Sequence, residues 1–308
     1  MEEKESEESV AREKWNAEAD GFNQWDSLDR DEKDELIAAG KEGNVEEKKP
    51  PESEEDYTAK IELMQGDCRI KMESIPARSV DMILCDLPYG STGCKWDVVI
   101  PFDILWERYL RIIKDDGAIV LTASQPFTSL LIASNISMFR YRWIWEKEQG
   151  GNFQLAKLQP LNTVEDVCVF SKARTANGAK QNMRYYPIMT PNLKPTKSGG
   201  NPSVSDLLHK NSMVALKRTY TESYPKSVLR FNKEHSSVRL HPTQKPVALF
   251  EYLIKTYTKK GDMVLDNCMG SGTTGVACKN LNRNFTGIEI DPAFFKIACE
   301  RVQERSKP

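Results

Sequence analysis

The sequence predicts an α/β fold, a mostly parallel seven-stranded sheet with helices on both faces. Three observations predict it. Apolar runs of four to six residues alternate with stretches of helical periodicity, the pattern of strands buried between crossover helices. A glycine-rich turn leads from one such run directly into a helix near the C-terminus. The segment 173–240 loses periodicity and fills with Asn, Pro, Lys, Ser and Tyr, so it reads as an insertion into the sheet.

The elements follow in order. Residues 60–64 (KIELM) and 80–85 (VDMILC) are short enough and apolar enough to be buried strands, and 102–114 is an amphipathic helix. A strand follows at 118–122 (AIVLT) and a helix at 124–136. Strands at 141–146 (YRWIWE) and 166–170 (DVCVF) end the first half. After the irregular block come a helix at 246–257, a strand at 263–266, a helix after Gly272, a strand at 285–290 and a last helix from Pro292. The organisation is therefore an acidic extension (1–56), a first half of the sheet domain (57–172), an inserted region (173–240) and a second half (241–308). Within the extension, the segment from Ser27-Leu28-Asp29 to Gly40 has the cap residues of a short helix, but its ends are low-complexity and it reads as disordered or loosely helical.

The net charge of -2 conceals an asymmetry. Residues 1–56 hold 21 acidic and 8 basic side chains, whereas 173–240 hold 12 basic and 3 acidic. A basic block of that size is the footprint of a surface that binds polyanions; a solvated lysine-rich loop is the competing reading. No run approaches the roughly 18–20 consecutive apolar residues of a membrane span. The acidic start is neither a signal nor a transit peptide. Seven cysteines without a C-x-x-C pair, and three histidines, give no metal signature and no disulfide framework, which fits a reducing, cytoplasmic setting.

Two constellations carry chemistry. In the first, Asp266-Asn267-Cys268-Met269-Gly270-Ser271-Gly272-Thr273-Thr274 runs from a strand into a helix, and Glu289 follows at the tip of the next strand. The glycines permit close approach of backbone to ligand, and an acid about 20 residues on can accept from both hydroxyls of a ribose. The loop lacks the lysine of a phosphate-gripping P-loop and the third glycine of a dinucleotide fingerprint, so a nucleoside without phosphates is favoured. In the second, Asp86-Leu87-Pro88-Tyr89 follows the strand ending at Cys85. Strand ends of a parallel sheet face the ligand crevice. Pro88 holds Leu87 extended, which aims its carbonyl outward beside the Asp86 carboxylate. Two acceptors and the Tyr89 ring suit a planar base with an exocyclic amine; an ordinary strand-to-turn junction is the alternative.

Together these residues resemble the S-adenosylmethionine-dependent DNA amino-methyltransferases over roughly 60–305. Asp86-Leu87-Pro88-Tyr89 resembles the catalytic D-P-P-Y motif, with Leu87 in place of the first proline. The segment from Asp266 to Thr274 resembles the cofactor loop, with Asn267-Cys268 where Pro-Phe is usual. His241-Pro242-Thr243-Gln244-Lys245-Pro246 resembles the motif that opens the cofactor-binding helix, and the stretches from Trp143 to Lys147 and from Glu165 also match. The order of catalytic motif, variable block and cofactor loop is similar to the circularly permuted β arrangement, with a target-recognition region between the halves of a Rossmann-like domain.

The resemblance implies methyl transfer from S-adenosylmethionine to the N6 amine of an adenine flipped out of DNA. Cytosine N4, and a catalytically silent nucleic-acid-binding protein, stay as alternatives. It implies that Asp86 and the Leu87 carbonyl hold the amine, that Tyr89 stacks on the base, and that Glu289 binds the ribose. Gly270, Ser271, Gly272, Thr273 and Thr274 would line the methionine end, shaped by Lys245 and Pro246, with Asp67 at the adenine moiety. Lys95 and Trp96 lie in a glycine-rich loop beside the catalytic motif and are candidate DNA contacts. Arg174, Lys180, Arg184, Lys194, Lys197, Lys217 and Arg218, interleaved with Tyr185, Tyr186 and Tyr220, are candidate contacts of the basic block. A homodimer, a restriction-modification setting and a masking or partner-binding role for the acidic arm are further expectations.

Overall fold

A computed structural model describes residues 58–303, apart from 92, 95, 96, 198–218 and 233–243. Expectations that fall on 1–56, Lys95, Trp96, Lys217, Arg218 and His241 lie outside the described residues.

The order of elements is β1 (Ile61–Gln65), α1 (Cys68–Lys71), β2 (Val80–Asp86), α2 (Phe102–Ile112), β3 (Ile113–Ala123), α3 (Phe127–Ser134), β4 (Phe139–Gly151), β5 (Asn162–Phe170), β6 (Thr190–Lys197), β7 (Thr219–Ser223), β8 (Val228–Arg230), α4 (Val247–Tyr257), β9 (Met263–Asp266), α5 (Thr273–Asn280), β10 (Asn284–Glu289) and α6 (Pro292–Gln303). The main sheet runs β1-β10-β9-β2-β3-β5-β4-β8. Neighbours from β1 to β3 are parallel, β5 is antiparallel to both β3 and β4, and β8 is parallel to β4.

Both faces of this sheet are buried, because successive side chains of a strand point to opposite sides. In β2, Ile83 and Cys85 join a core with Leu105, Trp106 and Tyr109 of α2 and Phe127 and Leu131 of α3. Met82 and Leu84, one residue out of step, join a second core with Leu249, Phe250 and Leu253 of α4, Ala277 of α5 and Ala298 of α6. Each large aliphatic or aromatic side chain so buried contributes about 1.5–3 kcal/mol. The apolar spacing in α2 and α4 thus does what the sequence pattern demands.

The seven expected strands are all present, and an eighth, β8, comes from the block that shows no periodicity. It pairs its three residues with Ile144, Trp145 and Glu146. The helix expected at 124–136 starts later, because Pro126 stands at its N-cap position. The helix expected through 114 ends at Ile112; Ile113 turns extended and pairs with Val80 as β3 begins.

The front of the basic block belongs to the sheet domain. Met183 is buried in the second core, the Arg184 backbone N–H donates to the Asp116 carbonyl at 3.0 Å, and that of Tyr186 donates to the Thr256 carbonyl at 2.7 Å. No helix among the described residues is long and apolar enough to cross a membrane.

Candidate active site

Strands β1, β10, β9 and β2 are parallel and end at Gln65, Glu289, Asp266 and Asp86. Their carboxyl ends therefore open on one edge, where a crevice of this sheet type binds ligands. A cavity of about 680 Å³ lies there, lined by Asp67, Asp86, Leu87, Pro88, Tyr89, Glu165, Lys245, Asp266, Gly270, Ser271, Thr273, Thr274 and Glu289. Two constellations some 180 residues apart in sequence thus share one chamber. Gly272 and Pro246 do not line it. Gly272 caps α5 with φ +81°, where an added Cβ would come within 3.0 Å of Ala298 Cβ. Pro246 starts α4.

In the cofactor-loop half, the Glu289 carboxylate is held by two backbone N–H groups, Gly270 on Oε2 and Asp291 on Oε1, both at 2.8 Å. Each oxygen keeps a further lone pair, and burial raises its pKa. Asp266 accepts from the Cys268 N–H at 3.1 Å and from the Thr274 hydroxyl, and burial pushes it up to about 7. Cys268 lines the chamber and sits against Cys68 and Cys85. Asp67 caps α1 through the Arg69 N–H at 2.9 Å and pairs with the Arg69 guanidinium, whose hydrogen bonds hold its carboxyl below the usual range. Asp67 thus caps a helix and lines the chamber. A chamber of this size falls within the about 300–1,000 Å³ usual for small-molecule sites. Its pinned carboxylate suits the hydroxyls of a ribose, and the turn into α5 lines the same chamber.

In the other half, Asp86 ends β2 opposite Thr122 of β3 in the parallel register. Its Oδ1 accepts from the Tyr89 hydroxyl at 2.7 Å and from the Thr122 hydroxyl. Its Oδ2 accepts from Lys245 Nζ at 2.6 Å. The Tyr89 ring stacks on Phe127, centroids 5.1 Å apart, so one face is already covered. Burial, with Asp86 and Glu165 adding to it, drives the Tyr89 phenol well above its ordinary pKa, so it stays a neutral donor. Downstream, Asp97 accepts from the N–H groups of Gly90 at 2.8 Å and Ser91 at 2.9 Å and so folds the glycine loop back on the motif.

Lys245 therefore reaches the Asp86 half of the chamber. Only 6% of its side chain is exposed, and its ammonium also lies 3.4 Å from Glu165 Oε2, while Lys147 Nζ donates to Glu165 Oε1 at 3.0 Å. Burial disfavours the Lys245 charge, but Asp86 and Glu165 outweigh it and raise its pKa. Glu165 is likewise pulled below its ordinary value by the two lysines despite its burial. Thr122, Glu165, Lys147 and Asp97 were not singled out from sequence as site residues. The polar Thr122 closing the apolar run AIVLT was the available signal for the first.

The candidate DNA contacts divide. Arg184 is committed to carboxylates: it pairs with Asp81, with Asp116 at 2.9 Å and with Asp262 at 3.5 Å. These stand at the starts of β2, β3 and β9, the edge opposite the chamber. As a phosphate contact Arg184 is corrected to a structural ion pair. Arg174 and Lys180 are exposed but follow the end of β5, which runs antiparallel to β3 toward that same far edge. Tyr185 and Tyr186 pack there too, Tyr185 against Tyr257 and Tyr186 beneath Lys259. Lys194 on β6 and Tyr220 on β7 are exposed in a separate two-stranded sheet, which the Lys197 backbone also joins.

A family model described as DNA methylase matches residues 80–300. Among curated proteins, the type II methyltransferase M.HpaI of Haemophilus parainfluenzae is 26% identical over 253 residues, which cover 75% of this chain and 70% of that one. The DNA adenine methyltransferase YhdJ of Escherichia coli is 27% identical, covering 79% and 83%. Among solved structures, an M1.HpyAVI–SAM complex superposes at a TM-score of 0.52 with 22% identity, covering 79% of this chain and 100% of that one. The cytosine-N4-specific PvuII DNA methyltransferase gives 0.54 with 16% identity, covering 82% and 89%.

Proposed function

The chain belongs to the DNA methylase family, and from that premise we propose that it methylates the N6 amine of adenine in DNA, using S-adenosylmethionine. The observation that carries this reading is the shared chamber: an acceptor-rich strand end, Asp86 to Tyr89, opens on the same cavity as the Gly270 turn and Glu289.

Bound S-adenosylmethionine supplies an electrophilic methyl group on a sulfonium. Glu289, oriented by two backbone N–H groups, is placed to accept from the ribose hydroxyls, and the turn from Met269 to Thr274 frames the remainder. A base inside a duplex cannot reach a buried strand end, so the target nucleotide swings out at a cost of a few kcal/mol. Asp86 and the Leu87 carbonyl then accept from the exocyclic amine, which draws its lone pair out of the ring and aims it. Tyr89, rigidified by Phe127 and by its hydrogen bond to Asp86, stacks on the base once the Lys245 ammonium, 5.7 Å from its ring centroid, makes room. The residues act by positioning and by fixed charge, with no covalent intermediate on the protein.

Mass spectrometry of nucleosides from DNA incubated with the protein and S-adenosylmethionine tests this. N6-methyladenine is expected. N4-methylcytosine would reassign the base, and unmodified DNA would refute the enzyme. The acidic segment 1–56 has the charge to compete with DNA for the basic surface. Its deletion should tighten non-specific DNA binding at low salt, and unchanged affinity would dismiss the masking role. A homodimer, as the family resemblance suggests, would be seen by sedimentation.

A further inference from the structure

The four charges between the two halves of the chamber form one line: Lys147, Glu165, Lys245, Asp86. Lys147 holds Glu165 Oε1 at 3.0 Å, and Lys245 holds Asp86 Oδ2 at 2.6 Å. The join between these pairs is incomplete. Glu165 Oε2 is buried and makes no hydrogen bond among the described residues, with the Lys245 ammonium 3.4 Å away. A buried carboxylate oxygen without a donor is costly, and such a group calls for an explanation.

The catalytic end has the opposite problem. Asp86 Oδ1 already accepts two hydroxyls, from Tyr89 and Thr122, and Oδ2 carries the lysine. An amine arriving at Oδ2 meets an ammonium on the same oxygen. That neighbour is worst during transfer, when the amine nitrogen itself becomes positive. Moving Lys245 off Asp86 would relieve that repulsion, provided a new partner lies within reach.

We propose that Glu165 is a positioning residue that takes Lys245 over from Asp86 when the target amine enters the chamber. This rests on the amino-methyltransferase reading above. Lys245 Nζ starts 3.4 Å from Glu165 Oε2 and 2.6 Å from Asp86 Oδ2. A shift of about half an ångström completes the bond to Glu165, and a further swing of its flexible side chain breaks the bond to Asp86. Lys147 keeps Glu165 from swinging to meet the lysine elsewhere. The total charge of the four groups is unchanged by the handover, so no proton has to move. In the absence of DNA the lysine is hydrogen-bonded to Asp86 and only ion-paired with Glu165; with the base in place it completes a hydrogen bond to Glu165 Oε2. Lys245 thereby couples base entry to the strand, β5, that carries Glu165.

The test is single-turnover transfer of labelled methyl groups to DNA, with cofactor binding followed separately by calorimetry. If the parent protein transfers nothing, the amino-methyltransferase reading itself has failed. Given an active parent, Glu165→Gln should lose about tenfold to a hundredfold in the transfer rate, with cofactor affinity within about twofold. Adding Lys245→Met to Glu165→Gln should recover at least tenfold of that loss, because no lysine is left stranded on Asp86. A merely structural Glu165 gives no such recovery. A parent-like rate for Glu165→Gln, or a double variant no faster than the single, overturns the proposal. If Glu165→Gln does not bind the cofactor, Glu165→Asp carries the same comparison, its shorter carboxylate withdrawn from Lys245.

Discussion

Replacing Asp86 by Asn keeps the volume and one acceptor oxygen but removes the charge and substitutes an NH2 for the other oxygen. The hydroxyls of Tyr89 and Thr122, which donate to Oδ1, can rotate to accept from that NH2. The remaining carbonyl oxygen then faces Lys245. The variant should therefore fold. The ion pair lost is not the whole charge balance of the lysine, because Glu165 still neutralises it, so the stability cost falls below the 3–5 kcal/mol of a fully broken buried pair, at about 1–2 kcal/mol. The catalytic cost is larger. A hydrogen bond to a charged group contributes about 1.5–3 kcal/mol, and a preorganised group facing developing charge about 2.7–4 kcal/mol, which already contains the hydrogen bond. The transfer rate should accordingly fall on the order of 10²–10³-fold rather than by the product of the two. Cofactor affinity should stay within about threefold, since Glu289 and the Gly270 turn are carried by other strands. Single-turnover transfer and calorimetry with S-adenosylmethionine measure the two quantities. An Asn variant within about threefold of the parent rate, with normal cofactor binding, would remove Asp86 from the role of amine acceptor.

Gly272→Ala puts a Cβ at positive φ against Ala298, so melting should drop by roughly 3–8 °C from a strain of about 1–2 kcal/mol, and cofactor affinity should fall with it; an unchanged calorimetric profile would contradict the close packing of α5 on α6. Arg184→Met should cost about 2–3 kcal/mol, because Asp81 keeps Lys114 at 2.6 Å but loses its second partner. The salt dependence of DNA binding should not change, and a slope reduced by about one would restore Arg184 as a phosphate contact. Asp266 has its folded pKa raised to about 7 by burial, so its neutral form favours the fold. Its stabilising contribution is complete below the carboxylate's unfolded value near 4 and is lost as pH rises to about 7, by up to ~1.4 kcal/mol per pH unit. Melting curves from pH 5 to 8 should slope downward more steeply in the parent than in Asp266→Asn, and equal slopes would sink this assignment.

Much of the site was legible because it follows from a rule of topology. In a parallel sheet, strand ends face one crevice, so Asp86 and Glu289 could be assigned to a shared edge from the apolar runs that precede them. What was illegible depends on distance between segments that sequence does not connect. Thr122 reaches Asp86 only through the register of β2 on β3. Lys245 stands at a helix entry, yet its long side chain crosses to β2. The three residues of β8 are too few to show a period, and they are ordered by the edge of β4 that they complete.

The basic block shows most clearly why local charge is not surface potential. Its excess of nine positive charges suggests a polyanion-binding surface, or else a solvated lysine-rich loop. Yet Arg184 is neutralised by Asp81, Asp116 and Asp262, residues brought together from three strand starts. Arg174 and Lys180 follow β5 away from the chamber, and the Tyr186 main chain is bonded to the end of α4. The stretch 173–186 thus closes the far edge of the sheet, and the inserted region is better begun after Tyr186. Any DNA that delivers a base to Asp86 lies at the other edge, one strand length away, roughly 15–20 Å for strands of this size. Beyond that stretch Lys194 stands exposed on β6, and beside the chamber Asp97 folds the glycine loop against the catalytic motif.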